Sequence, residues 1–166
     1  MYRMYGLYQG KFIFKVSNMC LYCKGDKKMN ITLDDYTKDP QTGADRRLQY
    51  PLDWTPEVQA NAIKLLKVIN SFLTELGIEE ATVSSGFRPL AINNKTLHAA
   101  KSSYHMSGLA VDLKDNNIQD LGKLIASRPD LLKKYNLWLE DLNHTHYWTH
   151  LDLGTRTDRP SRVFLP

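Results

Sequence analysis

Two histidines and one aspartate carry the clearest chemical potential in the sequence. His105 and Asp112 stand in the run Ser103-Tyr104-His105-Met106-Ser107-Gly108-Leu109-Ala110-Val111-Asp112, and His150 follows far downstream. Imidazole nitrogens and a carboxylate oxygen are the donors a catalytic zinc ion takes, typically three from the protein with a fourth position left for water. Singly, each residue has an ordinary explanation: a histidine is commonly a satisfied core or surface group, and a strand aspartate a solvated edge. The case for a metal therefore depends on the elements that would bring the three together.

Those elements can be read from punctuation and periodicity. Thr55-Pro56 opens a helix, because threonine caps free amides and proline in the first turn forfeits no helical hydrogen bond. Val58, Ala62, Leu65, Leu66, Ile69, Phe72, Leu73 and Leu76 recur at helical spacing and Gly77 stops the run, which predicts a core helix. Ala81–Ser85 reads as a short strand ending at Gly86-Phe87-Arg88-Pro89, so Arg88 lies at a strand end, where ligand contacts concentrate.

Leu109–Leu113 alternates, with Leu109, Val111 and Leu113 turned to a core and Gly108, Ala110 and Asp112 turned away. Gly108 can bend the chain so that His105 and Asp112 approach one point. Asn117 is expected to cap a helix carrying Ile118, Leu121, Leu124 and Ile125 that breaks at Pro129, with a helical turn around Leu131 and Leu132. Leu137–Asp141 and His146–Leu153 read as two strands joined by a polar turn, with His146, Trp148, His150 and Asp152 on one face of the second. The fold class is α+β, a small, mainly antiparallel sheet with helices packed on one side.

The pattern S-x-H-x-x-G-x-A-x-D, preceded by Ser85-Gly86-Phe87-Arg88 and followed by Trp148-Thr149-His150, resembles the zinc D-alanyl-D-alanine carboxypeptidase family, whose fold is of the Hedgehog/DD-peptidase type. The likeness is greatest to the phage-encoded, endolysin-like branch, where a similar L-W-L-E-D stretch, a W-x-H-L-D segment and a terminal R-V-F-x-P occur, the last matching Arg162–Pro166 here. It spans residues 29–166, which are taken as a zinc peptidase domain, and leaves 1–28 as an N-terminal arm of unknown role.

The resemblance implies that His105, Asp112 and His150 bind one Zn2+ ion, that Arg88 holds a substrate carboxylate or nearby carbonyl, and that Ser103 hydrogen-bonds the substrate backbone. A planar, permanently charged guanidinium suits a carboxylate. It also implies hydrolysis of peptide bonds involving D-amino acids in peptidoglycan stem peptides, by a carboxypeptidase or endopeptidase cut. Better-known relatives carry an acid three residues before the last histidine ligand, where this chain has Tyr147. Glu140, which a hairpin would lay beside the metal, is the first candidate to act as general base; His146 is the second. The missing acid keeps a rival open, a non-catalytic zinc-containing wall-binding or structural virion module of the same fold.

Composition narrows the partners. The 166 residues suit one domain, and the 42% hydrophobic and 24% charged fractions are those of an ordinary globular protein. A net charge of +4 favours an anionic partner. The basic residues form no stripe interleaved with aromatics, which weighs against nucleic acid, and no apolar run is long enough to span a membrane. Lys11, Lys15 and Asn18 interrupt any signal-peptide core, so no signal peptide is expected. The family resemblance, not the composition, then implies synthesis in a phage-infected bacterium or carriage on a virion, with the arm a candidate to dock to other virion proteins. Cys20 and Cys23 form a single C-x-x-C with no partner pair, and are read as incidental thiols.

Overall fold

The long helix starts and stops where its sequence signals stand. In the computed structural model, which describes residues 31–166 except His98 and Asp158, helix α3 runs Pro56–Glu75, after two short helices, α1 (Leu33–Thr37) and α2 (Arg46–Gln49). The Thr55 hydroxyl accepts from the Val58 amide, and Ala62, Leu65, Leu66, Ile69, Phe72 and Leu73 are buried. Burying each large apolar side chain contributes about 1.5–3 kcal/mol. Asn70 ties the stretch just before α1 to this helix, its amide bonding both the N–H and the C=O of Ile31 at 2.8 and 2.9 Å.

Five strands form one sheet in the order β1-β2-β4-β3-β5, where β1 is Val83–Ser85, β2 Ala110–Lys114, β3 Trp138–Glu140, β4 Trp148–Asp152 and β5 Val163–Phe164. All pairings are antiparallel except the parallel β3–β5 edge. Because strand side chains alternate, Val111, Leu113, Leu139 and Leu151 join the core formed with α3, while Asp112, His150, Asp152 and Glu140 go to the opposite face. Packing and chemistry thus occupy opposite faces. Gly108 has φ +76, and a Cβ there would stand 2.5 Å from the Val58 carbonyl, so the turn before β2 passes hard against α3.

The remaining helices are α4 (Leu90–Asn93), α5 (Asp120–Ala126) and α6 (Pro129–Lys134). The start of α5 differs from the expectation. Asn117 is not its cap: Gln119 adopts a left-handed conformation there, and the free amides are taken by two earlier side chains. Asn116 Oδ1 accepts from Ile118 and Asp120, and Asp115 accepts from Leu121 and Gly122. Ile118 is left outside the helix and exposed. Pro129 stands at the first turn of α6, a position that proline fits.

No described helix is long and apolar enough to cross a membrane. The arm of residues 1–28, with Cys20 and Cys23, lies outside the described residues.

Candidate metal centre

Strand register builds the site. Asp112 on β2 lies directly opposite His150 on β4, and the His150 Nδ1 comes to 2.7 Å from Asp112 Oδ1. His105 enters from the turn before β2. Its Nδ1 is 2.8 Å from the Gly86 carbonyl, to which it can only donate, so Nε2 is the unprotonated nitrogen and faces the cluster. That nitrogen is 3.3 Å from both Asp112 Oδ1 and His150 Nδ1.

Three donors each roughly 2.0–2.1 Å from a tetrahedral zinc are roughly 3.3–3.4 Å apart. Two of the three separations match, and the third is a hydrogen bond. His105 and Asp112 are buried and His150 nearly so, which favours coordination over hydration. The residues present fit one zinc ion.

The Gly86 carbonyl that fixes His105 can be there only because position 86 has no side chain. A Cβ would fall 2.0 Å from the Tyr36 carbonyl, itself bonded to the Phe87 amide. Gly86→Ala should therefore lower stability by at least about 1–3 kcal/mol, measured by urea unfolding, and weaken zinc binding by freeing the His105 ring.

Charge is arranged tightly around the ligands. Burial disfavours the Asp112 carboxylate, but the His150 imidazolium bonded to it at 2.7 Å outweighs burial and holds its carboxyl well below the usual range. Burial likewise opposes the His150 imidazolium, yet the Asp112 and Asp152 carboxylates outweigh it and raise His150 to about 10. For His105 burial prevails and lowers the pKa, keeping the ring neutral.

The other candidates divide into near and far. Arg88 Nη2 lies 3.3 Å from Asp112 Oδ2 and 3.4 Å from the Ser85 hydroxyl, so its charge is already matched to the outer oxygen of the ligand carboxylate. Glu140, on β3 beside β4, has its Oε2 3.9 Å from His150 Nδ1. Burial raises its pKa, Asp112 adding to the rise and His150 opposing it. The Ser103 hydroxyl accepts from the His105 amide at 3.4 Å, within the turn that carries the ligand.

His146 stands apart. The strand begins at Trp148 rather than at residue 146, and Tyr147 has φ +68, so the alternation that would have put His146 on the His150 face is broken. It is exposed, and none of the cluster's contacts among the described residues involves it. Sequence reading had put Asp152 on the correct face but missed its role: it is fully buried, with Oδ2 3.3 Å from His150 Nε2. The spacing His150-x-Asp152 was the available signal.

The family model described as Peptidase M15 matches residues 33–152, from α1 to the end of β4, and includes all three candidate ligands. The chain belongs to the M15 peptidases. M15 peptidases are zinc-dependent hydrolases, which accords with the His105–Asp112–His150 donor set and with the α+β fold. No curated protein and no solved structure matches this M15 peptidase.

Proposed function

We propose that the protein hydrolyses peptide bonds involving D-amino acids in the stem peptides of bacterial peptidoglycan, with zinc on His105, Asp112 and His150 and Glu140 as general base. The observation that carries the reading is the half-buried Glu140 carboxylate 3.9 Å from His150 Nδ1, the nitrogen that faces the other two ligands. A bound zinc would supply Lewis acidity, making a water easier to deprotonate and a carbonyl easier to attack.

The protein's own groups do the rest. Glu140 Oε2 accepts the proton from the attacking water and returns it to the leaving amine; its raised pKa makes it a better acceptor than a solvated carboxylate. Arg88 donates to Asp112 Oδ2, and its fork has further N–H groups to offer a substrate carbonyl or carboxylate. Ser103, at the rim, is the candidate to bond the substrate backbone. The surplus of positive charge favours an anionic wall over a neutral substrate.

The same reading makes the protein endolysin-like, reaching the wall through phage lysis or aboard a virion, with residues 1–28 available to dock to virion proteins. Purified sacculi incubated with the zinc-loaded protein are expected to release soluble muropeptides, identified by mass spectrometry. A chelator should abolish release and added zinc restore it. Zinc binding without any release would instead favour the non-catalytic wall-binding module.

A further inference from the structure

The family match stops at residue 152, yet the segment after it reaches back to the metal centre. Asp152 is fully buried, and a buried carboxylate is costly unless paired. Arg156 supplies the pair. Its Nη1 donates to Asp152 Oδ1 at 2.5 Å and its Nη2 to Oδ2 at 2.8 Å, a two-pronged contact, while the Gly154 amide adds a bond to Oδ1 at 2.8 Å. Held this way, Asp152 turns Oδ2 toward His150 Nε2.

The guanidinium is itself fixed. It lies 3.6 Å from the centroid of the Phe164 ring and 5.3 Å from that of Tyr104, the residue before the ligand His105. A Cβ at position 154 would stand 2.7 Å from Arg156 Nη1 and 2.4 Å from Tyr104, so glycine leaves the space into which Arg156 folds. Phe164 also packs edge-on against the His150 ring, with centroids 5.9 Å apart, and pairs with Glu140 across the β3–β5 edge.

We propose that Asp152 and Arg156 are positioning residues of the zinc site, with Arg156 orienting Asp152 and Asp152 fixing the His150 ring so that Nδ1 is presented to the metal. The C-terminal segment then completes a centre whose ligands all come from the family-matched region. The inference rests on the zinc-site reading above. A carboxylate on the far nitrogen of a ligating histidine sets its tautomer and raises its basicity, and losing such a partner typically weakens metal binding about 10–100-fold.

The test is zinc affinity of the full chain, measured by chelator competition, together with the visible spectrum of the cobalt-substituted protein. Asp152→Asn and Arg156→Ala should each lower affinity by about 10–100-fold and alter the cobalt spectrum, and Arg156→Lys should recover part of both. If Asp152→Asn fails to fold, the Arg156 pair carries the test, because Arg156 is partly exposed at the rim. Wild-type affinity and an unchanged cobalt spectrum in Arg156→Ala would overturn the inference while leaving the zinc site intact. A wild-type protein that binds no zinc would overturn the zinc-site reading as well.

Discussion

Glu140→Gln is expected to cut the turnover of muropeptide substrates by about 10²–10⁴-fold, the usual contribution of a positioned base, with zinc content unchanged. The substitution keeps the shape and hydrogen-bonding reach of the side chain and removes its charge and its capacity to take a proton. Its neighbour His150 would lose a weak attraction at 3.9 Å, while the 2.7 Å bond to Asp112 and the 3.3 Å contact with Asp152 remain, so the ligand geometry should survive. Since burial raises the Glu140 pKa, wild-type activity should fall away on the acid side at a higher pH than an ordinary carboxylate would give. That limb should be missing from the residual activity of the glutamine variant. His146→Ala, by contrast, should keep most of its turnover, because that side chain is exposed beyond the broken end of β4. Full turnover in Glu140→Gln together with loss in His146→Ala would reverse the assignment.

The readable parts of this sequence were those where one local rule governs. The apolar repeat of α3 and its threonine cap specify the helix without help from the rest of the chain, and alternation in Leu109–Leu113 is enough to send Asp112 away from the core. The three candidate metal ligands were legible through the family motif, but the register that brings them together was not. Only the pairing of β2 with β4 sets Asp112 opposite His150, and pairing is a long-range property. The errors share that cause. Asn116 and Asp115 displaced Asn117 as caps because Asp115 is also held by the Thr149 hydroxyl, a contact from β4 that local pattern cannot supply. His146 was misplaced by one left-handed residue, Tyr147, whose carbonyl is engaged by the Asp115 amide. Arg156 offered no pattern at all; its meaning depends on a buried carboxylate four residues back and on an aromatic ring eight residues ahead.

Zinc affinity should weaken about tenfold for each unit the pH is lowered between about pH 8 and 6, the slope of one proton exchanged per ion bound. In the metal-free protein the His150 ring lies between two carboxylates, Asp112 at Nδ1 and Asp152 at Nε2, and carries a proton toward each. With its pKa raised to about 10, it is still an imidazolium at neutral pH. Ligation requires the Nδ1 proton to leave while the Nε2 proton stays on the ring, donated to Asp152. An ordinary histidine, with a pKa of about 6.5, would already be neutral at pH 8 and would give almost no slope between 7 and 8. Stability should run in opposite directions in the two forms. Because the folded pKa of His150 is raised, its charge contributes to the metal-free fold fully below about pH 6.5, and that contribution is lost as the pH rises through about 10. Zinc bound to the native state stabilises in proportion to the logarithm of its affinity, so its effect grows over the same range. Chelator competition at stepped pH, and calorimetry in buffers of different ionisation enthalpy, would measure the proton count. The gap between zinc-bound and metal-free melting temperatures should widen from about pH 6 to 8, and a flat affinity between about pH 7 and 8 would mean that His150 gives up its proton before the metal arrives.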